Sequence, residues 1–156
     1  CGKTSLLKVL LQKGADINEQ DKSGTTALLW AGQHPYESDD KNCVQFLLEN
    51  GANANVANNQ GETPLLVAEK LEVLQALLAH GADVNAQNED GQTALMHIAQ
   101  IYDPKGEKTK WLLEHGADVN IRDKKGKTAL GYAIAVHSGL YSKEKGKILK
   151  QYGAKK

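Results

Sequence analysis

Aromatic side chains are scarce in this 156-residue chain: they make up 5% of it, with a single Phe, and Met also occurs once. That excludes a core organised around large rings. Ala, Leu, Gly and Asn recur instead, which points to small side chains packed in a repeated layout. Cysteine is limited to Cys1 and Cys43, so no disulfide framework and no multi-cysteine metal site is encoded. Cys43, next to Val44 in an apolar stretch, reads as a small core residue. Net charge is missing as well, because 19 basic residues balance 19 acidic ones. Such a chain lacks the positive field that drives non-specific nucleic-acid binding. The balance hides an asymmetry: residues 1–78 carry 6 basic and 10 acidic side chains, and residues 79–156 carry 13 and 9. No run approaches the roughly 18 apolar residues of a membrane span. There is no initiator Met, since the only one is Met96, and the expectation is a fragment or a processed product. The length suits one domain, which would bury about 70% of its unfolded surface.

Gly2, Lys3 and Thr4 look like the end of a phosphate-binding P-loop. That loop needs a further glycine five residues upstream, after a buried strand, so that successive N–H groups cradle the phosphates. The position lies off the chain. The tripeptide returns as Gly126, Lys127, Thr128, but there the upstream position holds Ile121 and no apolar strand precedes it. Both matches are accidental. His34, His80, His97, His115 and His137 form no metal or acid–base constellation. His80 and His115 each precede a glycine in the same phase, where an imidazole can bond the last carbonyls of a helix. His34 with Asp39 and Asp40 is better read as a solvated loop whose acids cap the next helix.

What is present is a repeat. GADIN at Gly14, GANAN at Gly51, GADVN at Gly81 and GADVN at Gly116 recur, with a truncated GA at Gly153. Ten residues after each of the first four glycines comes a second motif: GTTALL from Gly24, GETPLL from Gly61, GQTALM from Gly91 and GKTALG from Gly126. The segment between the two motifs keeps its length. The stretch from the second glycine to the next GA varies, at 27, 20, 25 and 27 residues.

Before each GA lies an apolar cluster at helical spacing, as in Leu6, Leu7, Leu10, Leu11 and in Val73, Leu74, Leu77, Leu78. A glycine then terminates the helix in the left-handed region. In the second motif Thr26, Thr63, Thr93 and Thr128 stand where a hydroxyl caps a new helix, and Pro64 suits the first helical position. The Asn-, Asp- and Gly-rich segment between terminator and cap predicts a turn-rich finger. In the lengthened loops around HPYESDDKN and YDPKGEK, Asp103 to Gly106 suits a type I turn.

This order of motifs resembles the ankyrin-repeat family, whose units read DxxGxTPLHxAA, an outer helix with an LL pair, then GADVNA. The resemblance covers nearly the whole chain and implies an all-α repeat solenoid of stacked helix–loop–helix units with protruding β-hairpin-like fingers. The expected layout is one domain over 1–156: a half repeat at 1–20, repeats at 21–57, 58–87 and 88–122, and a capping repeat at 123–156. Where the family carries His after TPL, this chain has Leu29, Leu66, Met96 and Gly131, so the Thr–His network of consensus repeats is missing and lower stability is expected. The 58–87 repeat lacks about one helical turn.

A solenoid covers its last core face with a polar unit. Lys145, Gly146 and Lys150 fill the phase of Val73, Leu74 and Leu78 and are read as that cover. Leu6, Leu7 and Leu11 keep the internal apolar pattern without an inner helix beside them, so either more protein precedes Cys1 or something else covers the helix, whose N-cap is expected at Thr4 or Ser5. Trp30 and Trp111 are read as packing residues.

In ankyrin-like proteins the variable finger tips usually touch the partner. The resemblance thus implies contacts at Lys22, Ser23, Thr25; Asn59, Gln60, Glu62; Glu89, Asp90, Gln92; and Lys124, Lys125, Lys127, and Arg122 joins them for its positive charge beside these lysines. Tyr36 and Tyr102, in the long loops, are added as aromatic candidates. The implied function is non-enzymatic binding, and regulation or inhibition, of a folded protein partner, with no catalytic residue, cofactor, metal or nucleic acid. The chain would be a monomer by itself or part of a heteromeric complex. Two alternatives stand beside it: a bacterial immunity protein that neutralises a toxin enzyme, and the targeting segment of a larger enzyme. A cytoplasmic location is favoured, against a periplasmic lipoprotein anchored through a processed Cys1.

Overall fold

The computed structural model describes residues 2–33, 40–135 and 139–155. These contain the helices α1 Gly2–Gln12, α2 Ala27–Gln33, α3 Asp40–Glu49, α4 Pro64–Val67, α5 Leu71–Ala79, α6 Ala94–Gln100, α7 Glu107–Glu114, α8 Ala129–Ala135 and α9 Gly139–Gln151. No strand occurs among the described residues. The chain divides into two compact units, Cys1–Asp83 and Val84–Lys156.

The helix boundaries follow from the motif chemistry. Each inner helix starts at a threonine whose hydroxyl accepts the amide three residues on: Thr26 from Leu29 at 3.2 Å, and Thr63, Thr93 and Thr128 from Leu66, Met96 and Gly131 at 3.4 Å each. Each outer helix ends in the same double closure. At Gly51 (φ +91°) the glycine N–H bonds the Leu48 carbonyl at 3.1 Å, and the Ala52 N–H reaches Leu47 at 2.9 Å. These are the two bonds of a Schellman motif. His80 and His115 complete it, their Nδ1 atoms donating to Ala76 O and Trp111 O at 2.8 Å. α1 begins at Gly2, so Thr4 and Ser5 lie inside it and neither is its cap.

In the first unit, inner helices α2 and α4 pack on each other and on outer helices α3 and α5, and α1 packs on α3. Leu29, Leu66 and Val67 form a buried cluster between α2 and α4. In the second unit, α6 packs on α7 and α8, and α9 on α7 and α8. The expected type I turn is present, with the Gly106 N–H bonding Asp103 O at 3.1 Å. The Asp103 carboxylate reaches forward as well, accepting from Thr109 N at 3.1 Å and Thr109 Oγ1 at 2.9 Å. It therefore caps α7 from outside the helix.

Two packing expectations are corrected. Trp30 is 46% exposed, and it lines an apolar cleft of about 300 Å³ with Leu6, Leu7, Ala27, Ala31, Cys43 and Leu47. Core phase on α2 supplied the apolar residue, but the α1 side of the helix is open there. Cys43 itself is buried. Trp111 is half-buried, stacked on His115 at 4.0 Å between ring centroids. Lys145 is no solvated cover: it is 2% exposed, and its ammonium donates to Ala99 O at 2.6 Å and Ile101 O at 2.8 Å. The last carbonyls of a helix lack intrahelical donors and attract a cation, so a lysine reaching the end of α6 is satisfied in the interior. Its burial pushes the ammonium pKa down, opposed by the charge of Asp103 and assisted by that of Lys108.

Candidate interaction surface

The fingers are built alike. A residue at the head of each, Asp21, Asn58, Asn88 or Asp123, turns its Oδ1 into the finger and accepts the amides two and four residues on. The distances run from 2.7 Å at Lys127 N to 3.0 Å at Gln60 N and Asp90 N. Two main-chain bonds close each hairpin, as from Asn58 N to Glu62 O at 3.1 Å and from Gly61 N to Asn58 O at 2.9 Å. The residue before the head adds a clamp in three fingers: Gln20, Gln87 and Arg122 donate to the carbonyls of Gly24, Gly91 and Gly126 at 2.7 Å.

Neighbouring fingers are tied within each unit. In the first, Asn59 N donates to Ser23 O at 2.9 Å and its Nδ2 to Lys22 O at 3.1 Å. In the second, Lys124 N donates to Asp90 O at 2.9 Å. The asparagine closing each GADxN motif makes a parallel tie at the finger base. Asn55 Oδ1 accepts Asp83 N at 2.8 Å while its Nδ2 donates to Gly81 O at 2.8 Å, and Asn85 does the same with Asp118 N and Gly116 O at 2.8 and 3.0 Å.

This geometry sorts the implied contact residues. Lys22, Ser23, Gln60, Glu89, Asp90, Lys124 and Lys125 stand exposed at the tips, with Arg122 and Lys127 exposed at the base of the last finger. Thr25, Glu62 and Gln92 are half-buried and engaged inside their fingers, and Asn59 is a finger-to-finger tie. Tyr102 is 68% exposed. Tyr36, His34, Asp39 and His137 lie outside the described residues.

Tyr132, unmarked in the sequence, organises the last finger. Its hydroxyl donates to Asp123 Oδ2 at 2.6 Å and accepts from Gln92 Nε2 at 2.8 Å, and the Lys127 ammonium sits 4.9 Å from its ring centroid. Its bond to Asp123 and its burial raise its pKa. Position is the only available signal: Tyr132 follows Thr128 by the same four residues as Trp30, Val67 and His97 follow their threonines.

The profile described as "Ankyrin repeats (3 copies)" matches residues 1–88 and again 68–156. The chain belongs to the ankyrin-repeat family. It is 37% identical over 65 residues to Synphilin-1 of Mus musculus, covering 42% of this chain and 6% of that protein. An ankyrin repeat protein of Acanthamoeba polyphaga mimivirus is 33% identical over 70 residues, 45% of this chain and 9% of its own length. An ankyrin repeat-containing protein of Schizosaccharomyces pombe is 33% identical over 72 residues, 46% of this chain and 33% of its own. The matched stretches thus span at most a third of these relatives. Ankyrin repeats are typically non-enzymatic modules that bind other proteins. Among the described residues no helix is long and apolar enough to cross a membrane.

Proposed function

We propose that this chain is a non-enzymatic interaction module that holds a folded protein partner on its finger tips. The observation that carries the reading is the division of labour within each finger. The head-group oxygen and the finger-to-finger bonds fix the main chain, while Gln60, Glu89, Lys124 and Lys125 project from it into solvent. A surface ordered before binding loses little entropy when a partner arrives. A partner held there has part of its own surface occluded, which is the physical basis for a regulatory or inhibitory role. The histidines that invite a catalytic reading, His80 and His115, are engaged at helix ends.

Site-specific photo-crosslinking tests the proposal. A photoactivatable residue at Gln60 or Lys125 should capture the partner, and the same group at Glu72 or Lys147 on the outer helices should not. Capture from the outer-helix positions alone would overturn it.

A further inference from the structure

In the three preceding repeats the third residue after the capping threonine is a buried side chain, Leu29, Leu66 or Met96, at 0%, 4% and 1% exposure. In the last repeat that position is Gly131. The missing side chain coincides with a cleft of about 270 Å³. Its lining among the described residues includes Arg122, Lys127 and Thr128 on the finger side and Leu130, Gly131 and Ile134 on α8. The volume lies below the roughly 300 to 1,000 Å³ of sites that enclose a drug-sized ligand, and it suits one or two side chains. Its floor is apolar, with Ile134 57% exposed at one end.

The rim is cationic. Lys127 is exposed and rests over the Tyr132 ring, and Arg122 Nη1 is anchored on Gly126 O. Lys124 and Lys125 add two more positive charges on the same finger. Within that finger only Asp123 is acidic, and its carboxylate is buried and committed to the Tyr132 hydroxyl and the amides of Lys125 and Lys127. The finger therefore presents three exposed lysines, Lys124, Lys125 and Lys127, above an apolar floor.

From this complementarity we infer that the cleft recognises an acidic segment of a protein partner, with a carboxylate against Lys127 and an aliphatic side chain in the space over Gly131. The inference rests on the reading of the fingers as a protein-binding surface. Charge alone would attract any acidic chain, whereas the cleft adds a requirement for an aliphatic side chain beside the carboxylate.

Two fluorescein-labelled peptides of equal charge test it, one with a leucine flanked by Asp and Glu and one with serine in its place. By fluorescence anisotropy the leucine peptide should bind about tenfold or more tightly, the discrimination typical of an apolar pocket. Gly131→Leu should abolish that preference while keeping every cation. A Cβ at this position meets Lys127 and Thr128 atoms only at 3.8 to 4.0 Å, an ordinary contact. Gly131→Ala should reduce the preference in part, and it carries the test if the leucine variant does not fold. Lys127→Glu should weaken both peptides. Equal binding of the two peptides by the native chain, or an undiminished preference in both Gly131 variants, would overturn the inference. Crosslinking at Lys125 that persists alongside equal peptide binding sinks the cleft alone, whereas lost crosslinking with intact discrimination sinks the finger-tip reading alone.

Discussion

Tyr132 donates to Asp123 across 2.6 Å, so an inner-helix side chain is bonded to the residue that shapes the last finger. The phenol oxygen also accepts from Gln92 one finger back. Tyr132→Phe keeps the ring under Lys127 and removes both bonds, leaving a buried carboxylate short of a donor. A loss of about 1 to 3 kcal/mol is expected for unsatisfied buried groups of this kind. Urea midpoints of the two proteins measure it, and an unchanged midpoint would show that the network does not contribute to stability.

Acid should weaken the second unit through the same residue. Burial by itself would raise the Asp123 pKa, but the bonds from Tyr132, Lys127 N and Lys125 N, with the Lys125 charge, outweigh it and hold the carboxyl below its ordinary value. A depressed folded-state pKa contributes stability that is present above the usual carboxylate value of about 3.9 and is lost as pH falls through the folded value. Asp21, lowered by the Ser23 hydroxyl and the amides of Thr25 and Ser23, titrates in the same sense. The stability of Asp123→Asn should fall less steeply below about pH 4 than that of the native chain; parallel curves would refute the assignment.

Two glycines with left-handed backbones should respond differently to alanine. At Gly51 a Cβ meets nothing within 4 Å, so Gly51→Ala should show only the backbone penalty of about 1 to 2 kcal/mol. At Gly24 the Cβ would lie 2.7 Å from Asn59 Oδ1 and 2.9 Å from Asn59 N. Gly24→Ala should therefore destabilise more, by displacing one finger from the next. Thermal unfolding of the two variants ranks them.

Core and surface should separate cleanly. Leu77 is fully buried in α5, and Leu77→Ala should cost about 2 to 5 kcal/mol. Lys143→Ala, on the exposed side of α9, should stay within about 0.5 kcal/mol. Lys145→Met should fall between them at about 1 to 3 kcal/mol, because two carbonyls lose their donor. Chemical denaturation of the three variants decides the order.

Charge reversal probes the finger surface in solution. Replacing Lys124, Lys125 and Lys127 together by Glu should leave the circular dichroism unchanged and slow partner association strongly at low salt, with the effect shrinking as salt rises. Leu7→Asp, on the apolar cleft beside Trp30, should leave association unchanged. The opposite pattern would place the partner on α1.

The helix ends were legible because their chemistry is local. A glycine at Gly51 or a threonine at Thr63 acts within four residues of itself, and a single sequence contains everything needed to see it. Asn55 and Asn85 were not legible beyond a preference for turns, since they bond amides 28 and 33 residues away. The register between repeats fixes those partners, and it emerges only when neighbouring repeats pack within one unit. Lys145 misled for a related reason: a charge at an apolar phase reads as solvent exposure unless the carbonyls of α6 are known to end against it. Trp30 failed in the opposite direction, since periodicity names the face of α2 but not what lies beyond it. The tip residues of the fingers were placed by family resemblance, and their geometry then separated projecting side chains from internal ties.

The head-group oxygens of Asn58 and Asn88 read only main-chain amides two and four residues on. Gln60 and Asp90 therefore take part through atoms that every residue type except proline possesses. Side-chain identity at these tips is nearly silent for folding, so selection on partner choice and selection on foldability act on different atoms. Such a scaffold can drift rapidly in specificity at constant stability, and the same positions are where a library of new binders would be diversified.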